Sequence, residues 1–147
     1  MAAIPASVEL AIRAAAEDVR PASHWLAQSC EARGVPASQI LRLDLCLNEA
    51  LANVISHGGE QAMASPVRLR LHVGGDAAMH QASVTVYDSG PAFDATSVHP
   101  GELPATLDEA EPGGLGLRMI RNLSDSLSYW HDKGHNELTF GVRWGGA

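Results

Sequence analysis

A carboxylate and an amide stand one helical turn apart, at Glu49 and Asn53, inside the most apolar stretch of the 147-residue chain, Leu41–Gly59 (LRLDLCLNEALANVISHGG). Residues at i and i+4 share a helix face, so the two form a narrow polar stripe together with Arg42 and Ser56. Leu43, Leu47, Ala50, Leu51 and Val54 fill one broad side of this helix, and Leu41, Leu45, Ala52 and Ile55 fill another. That pattern predicts a helix buried around most of its circumference. Burying a lone carboxylate costs on the order of several kcal/mol unless it is compensated. Glu49 and Asn53 therefore face either a ligand or metal, or ordinary partners such as backbone groups or Arg42. On this helix alone the two readings weigh equally.

Two other segments carry candidate chemistry. Asp88-Ser89-Gly90-Pro91-Ala92-Phe93-Asp94 sits at the end of a strand-like stretch. An aspartate there can accept a hydrogen bond from an exocyclic amine such as that of adenine. Gly90 presents no side chain to hold a planar ligand off the backbone. Taken alone, the same residues suit an Asx turn. Gly113-Gly114-Leu115-Gly116-Leu117 precedes a helical pattern, where backbone N–H groups and the helix dipole favour phosphate. It is not a P-loop, because no Gly-Lys-Ser/Thr follows. Nor is it a dinucleotide fingerprint, because Met119 stands where the third glycine belongs and no strand precedes it. In isolation it reads as a hinge and a helix start. His57 follows Asn53 by four residues at the end of the apolar helix, a common place for a structural histidine. His131-Asp132-Lys133-Gly134-His135 has no second pair of ligands and reads as a surface turn rather than a zinc site.

Periodicity supplies the elements that must position these groups. Val8, Leu10 and Ile12 alternate with polar residues as a half-buried strand, and a helix over about Ala14–Arg33 starts or bends at Pro21 and ends at Gly34. Ser38 caps the helix that carries Glu49 and Asn53, and Gly58-Gly59 closes it. Val67, Leu69, Leu71 and Val73 mark the clearest strand, and Ser83–Tyr87 its hairpin partner across a Gly74-Gly75-Asp76 turn. From Ser89 to Gly114 periodicity disappears, and a loop this long inside a compact domain is usually functional or mobile. Leu117, Ile120, Leu123 and Leu127 then predict a helix over about Leu115–Trp130, broken by Gly134 and followed by a strand through Leu138, Phe140, Val142 and Trp144. Strands that cluster as a hairpin, with helices not regularly interleaved, predict an α+β two-layer sandwich with helices on one face of a mainly antiparallel sheet.

The totals narrow the function. A formal charge of −7 and a single lysine, Lys133, argue against a nucleic-acid backbone footprint, so no direct nucleic-acid partner is expected. Asp44 and Glu49 interrupt the best apolar run, and the first residues lack a basic start before an apolar core, so neither a membrane span nor a secretory signal is expected. A cytoplasmic protein with two buried thiols, Cys30 and Cys46, fits best.

In order and spacing, ExxxN on a helix, DxGxxFD after a strand and GGLGL after a long loop resemble the N, G1 and G2 boxes of the histidine-kinase-like (GHKL) ATPases. The words LCLNEALANVISHG, YDSGPAFD, GGLGLRMIRNLSDSLSY and GHNELTF are similar to the anti-sigma factor serine/threonine kinases of bacterial partner-switching systems, over roughly Val8 to Phe140. The resemblance implies a Bergerat ATP-binding fold, with a mixed but mainly antiparallel sheet, occupying 1–147 as one domain with an ATP lid at about 91–116. It implies ATP and Mg²⁺, with Asn53 as the metal ligand, Glu49 as general base and Asp88 as reader of adenine beside Gly90. It also implies that Gly114, Leu115, Gly116 and Leu117 approach the phosphates from the lid, with His57 nearby. Mg²⁺ takes few protein ligands and prefers oxygen, which one amide can supply. Ala92, where a DxGxG box has its last glycine, departs slightly from the pattern.

Partners follow from the same resemblance: a STAS-type anti-sigma factor antagonist as phosphoacceptor, a sigma factor or other regulated protein, and a second copy in a homodimer. A nucleotide-binding switch with little or no kinase activity is the alternative. A two-component sensor kinase is disfavoured, since no helix pair with a phosphoacceptor histidine fits in the chain.

Overall fold

The alternating stretches form strands β1 (Ser7–Ile12), β2 (Val67–Gly75) and β3 (Met79–Asp88), and two more follow as β4 (Ser126–Asp132) and β5 (His135–Gly145). In this computed structural model, which describes residues 4–91 and 120–145, they make one sheet in the order β1-β2-β3-β5-β4. Each of the four strand pairs is antiparallel. Alternation puts Leu69, Leu71, Val84, Val86, Phe140 and Val142 on one face, all buried. Two helices lie on that face, α1 (Val19–Glu31) and α2 (Ala37–Met63). The architecture is the expected two-layer α+β sandwich.

Helix ends show where local rules held. A short 3₁₀ turn, Ala16–Asp18, precedes α1, and Pro21 falls in the first turn of α1, where its missing N–H interrupts no hydrogen bond. Gly34 ends the helix with φ +77°, while Val35 N–H donates to Cys30 O at 3.1 Å and Gly34 N–H to Glu31 O at 3.2 Å, the paired bonds of a Schellman motif. Ser38 does not cap α2. Pro36 holds that position in extended geometry, and its carbonyl accepts Gln39 N–H at 2.9 Å and Ile40 N–H at 3.0 Å, which places Ser38 in the first turn. Gly59 (φ 56°, ψ −148°) kinks α2 rather than closing it, and a last turn continues to Met63.

The expectation that α2 is buried nearly all round is corrected. It packs on α1, β3 and β5 through Leu43, Cys46, Leu47, Ala50 and Leu51, but Leu41 is 59% and Leu45 38% exposed. A two-layer sandwich leaves the outer side of each helix in water, and apolar residues alone do not reveal which side that is.

The expected helix over Leu115–Trp130 is also corrected. Residues 120–123 are helical, with Ile120 fully buried, but Ser126–Asp132 is strand β4. Leu127, Tyr129 and His131 alternate with Ser126, Ser128 and Trp130, and this stretch pairs with β5 through a two-residue turn at Lys133 (φ 51°) and Gly134 (φ 78°). Two successive positive φ values are the mark of a hairpin turn whose twist matches the strands. The i, i+3, i+7 spacing of Ile120, Leu123 and Leu127 imitated a helix, and cross-strand pairing overrode it.

Arg42 fastens this region to α2. Its guanidinium donates to Leu123 O at 2.8 Å and approaches Asp125 Oδ1 at 3.3 Å, while Arg143 N–H donates to Asp125 Oδ2 at 2.7 Å. Burial pushes the Asp125 carboxyl up, but the Arg143 amide and Arg42 together outweigh it and hold the group below its ordinary value of 3.8. Because the folded pKa is depressed, this stabilisation is present above 3.8 and is lost as pH falls through the folded value. Asp125→Asn is expected to lower stability at pH 7 by about 0.5–1 kcal/mol, the pair being partly solvated. Denaturant titrations at pH 7 and pH 3 check this, since the gap between variant and wild type narrows at the lower pH.

Candidate functional site: a cleft between α2 and the end of β3

The last turns of α2 cross the end of β3 at two glycines. A Cβ on Gly90 would lie 3.1 Å from Gly58 Cα and 3.0 Å from Asp88 Oδ1, so any side chain at Gly90 forces the segment after β3 away from the helix. The absent side chain thus serves the contact with α2; Gly90 itself lies beside the cleft, not in its wall. Between helix and sheet opens a small cavity of about 40 Å³, with Asn53, His57, Asp88, Tyr129 and Asn136 among its polar walls and Val54, Val86 and Leu138 among its apolar ones. A mostly apolar concavity with a few convergent polar groups is the usual form of a small-molecule site.

Asn53 is only 5% exposed, and among the described residues neither its Nδ2 nor its Oδ1 has a hydrogen-bond partner. Arg42, the protein partner considered from sequence, is engaged with Leu123 O, Gln39 Oε1 and Asp125 instead. Leaving a buried amide unsatisfied costs roughly 1–3 kcal/mol per group, so its retention calls for a partner beyond the described residues. An amide offers one acceptor and one donor group, and the acceptor suits a hard cation.

Asp88, 9% exposed, stands at the C-terminal end of β3. Its Oδ1 accepts Gly90 N–H at 2.8 Å and Asn136 Nδ2–H at 3.0 Å. The Asx geometry considered from sequence is therefore present, and it coexists with a place in the cleft.

Among the residues singled out from sequence, Asn53, His57 and Asp88 meet in this cleft. Glu49 lies one turn back on α2, half-buried and outside the cavity wall. Asn53, not Glu49, is the buried member of the polar stripe. Gly114, Leu115, Gly116 and Leu117, and the body of the proposed lid, lie outside the described residues. Asn136 was missed, although it stands in the GHNELTF stretch. Its position directly opposite Asp88 in the β3–β5 register is visible only once the strands are paired.

Both cysteines are buried, and burial pushes each thiol up to about 12, so neither supplies a thiolate near neutral pH.

Fold and cleft together define a class: an antiparallel sandwich whose longest helix and central strand enclose a small polar-and-apolar pocket. The chain belongs to the histidine kinase-like ATPase domain family, whose pattern matches residues 12–142. It is 36% identical over 97 residues to the serine/threonine-protein kinase BtrW of Bordetella bronchiseptica, a match covering 66% of each chain. Its fold matches the RsbU and RsbW domains of Rv1364c from Mycobacterium tuberculosis with a TM-score of 0.70 at 17% identity, over 98% of this chain and 34% of that one. It also matches the SiaB–SiaC complex from Pseudomonas aeruginosa with a TM-score of 0.63 at 12% identity, over 92% of this chain and 88% of that one. At these identities the two solved structures speak for the fold.

Asn53→Leu is expected to keep or raise the stability of the ligand-free protein, by up to about 1 kcal/mol, because it removes an unsatisfied amide at similar volume. A clear loss in urea unfolding would mean that Asn53 is a structural polar residue.

Proposed function

We propose that this protein is an ATP-dependent serine/threonine protein kinase that doubles as an anti-sigma factor, phosphorylating a STAS-type anti-sigma factor antagonist in a partner-switching system. The observation that carries the reading is the unpartnered, buried Asn53 amide in a cleft shared with Asp88. Membership of an ATPase family and similarity to a serine/threonine kinase support it.

In this reading the base of ATP lies against Val86 and Leu138, with its amine donating to Asp88, and the phosphates extend along α2 towards Asn53 and His57. Asn53 Oδ1 suits Mg²⁺, which when bound supplies charge neutralisation at the phosphates. Glu49, one turn from Asn53, takes the proton from the acceptor hydroxyl. Gly114, Leu115, Gly116 and Leu117 belong to the lid over the phosphates. Positioning and electrostatics carry most of such a transfer. The sigma factor or other regulated protein binds when the antagonist is phosphorylated, and the working unit is a homodimer in the cytoplasm. No helix among the described residues is long and apolar enough to cross a membrane.

Because Glu49 stands back from the cavity wall, a nucleotide-binding switch without transfer is the competing reading. Labelled ATP with magnesium, incubated with a candidate antagonist, separates the two. Glu49→Ala is expected to retain nucleotide binding and lose transfer by roughly 10²-fold or more, the usual range for a general base. No labelling by either leaves the switch, and equal labelling by variant and wild type removes Glu49 from the role of base. Asn53→Ala is expected to weaken binding of Mg-ATP at equilibrium, which calorimetry reads without any acceptor.

A further inference from the structure

Asn136 is 4% exposed and lies in a row across three strands, opposite Asp88 on β3 and opposite His131 on β4. Its terminal amide is saturated on both sides. One end faces three acceptors: Asp88 Oδ1 at 3.0 Å, Gly90 O at 3.1 Å and Pro91 O at 3.0 Å. A carbonyl oxygen there would meet three oxygens and no hydrogen, so this end is the NH₂. The other end is then the acceptor, and it receives the Tyr129 hydroxyl and, at 2.9 Å, His131 Nδ1, which must carry its hydrogen there.

This arrangement breaks the equivalence of the two Asp88 oxygens. Among the described residues both donors to Asp88, Gly90 N–H and Asn136 Nδ2–H, fall on Oδ1 and none on Oδ2. A carboxylate free to rotate presents either oxygen, or a water, to a ligand. One clamped at Oδ1 presents Oδ2 as a fixed acceptor. The same NH₂ also holds the carbonyls of Gly90 and Pro91, so the base-reading group and the first residues after β3 are tied by one side chain.

Resting on the ATP reading above, we propose that Asn136 is a positioning residue that sets base selectivity by clamping Asp88, with Tyr129 and His131 clamping Asn136 in turn. The fixed Oδ2 acceptor rewards a 6-amino purine and meets the oxygen of a 6-oxo purine unfavourably. Selectivity of this kind is lost when the acceptor can turn away, even where total binding survives.

The test is calorimetric titration of the full chain with ATP and with ITP, alongside thermal unfolding. Wild type is expected to prefer ATP, and Asn136→Ala to reduce the ATP-to-ITP affinity ratio roughly tenfold, the scale of one charge-assisted hydrogen bond. A merely structural role lowers both affinities together and leaves the ratio unchanged, which would overturn the proposal. If Asn136→Ala does not fold, the double variant Tyr129→Phe with His131→Ala removes the clamp on the amide oxygen while sparing Asn136 itself. It is expected to lower the same ratio by a smaller factor, and an unchanged ratio again overturns the proposal. A wild type that binds both nucleotides equally also overturns it, whereas one that binds neither overturns the ATP reading itself.

Discussion

Everything in the cleft depends on how closely α2 approaches the end of β3. The approach is possible because Gly90 carries no side chain: a Cβ there would lie 3.1 Å from Gly58 Cα, whereas one on Gly58 would meet Ala62 Cβ of its own helix. Beside that contact, the cavity is lined by Asn53, from the helix layer, and Asp88, from the sheet layer. The neighbouring kink at Gly59 lets the helix continue to Met63 over this crossing. Dense packing of Leu43, Leu47 and Leu51 against Val84, Val86 and Phe140 keeps the two layers in register. A site built on such elements is stiffer than one built on loops alone.

The buried polar groups of the cleft divide into two kinds. Asn136 has every hydrogen-bonding direction filled, and Asp88 is anchored through one oxygen. Asn53 has none filled among the described residues. A buried network that is complete rigidifies its surroundings, whereas an orphaned amide is a standing cost. Among the described residues the cleft therefore has a finished wall, where hydrogen bonds within the protein set the orientation of each group, and an unfinished one at Asn53. Such a division is what a binding site requires: pre-organisation on one side and unmet chemical demand on the other.

Much of the fold was legible because its signals are local. The alternation in β1, β2, β3 and β5 predicted their inner faces, and Gly34 predicted the end of α1. The stretch from Ser126 to Asp132 misled because its leucine joined Ile120 and Leu123 at helical spacing. Its alternation, and the Lys133–Gly134 turn, favour a strand only when β5 is there to pair with it. The outer side of α2 misled for a similar reason: Leu41 and Leu45 are apolar, and only the placement of the sheet and α1 shows that they face water.

For the site, the sequence by itself determined the chemical inventory and the family: Glu49 and Asn53 at i, i+4, Asp88 with Gly90, and the order of the three motifs. Spacing along a chain can do this because helix and strand periods are local geometry. Tertiary structure alone decided which of these groups share a cavity. It buried Asn53 without a partner among the described residues, left Glu49 half-exposed outside the cavity wall, and turned Gly90 towards Gly58. It also recruited Asn136, 48 positions from Asp88, through strand register. Burial and hydrogen-bond satisfaction depend on what packs from other parts of the chain, and no local pattern carries that information.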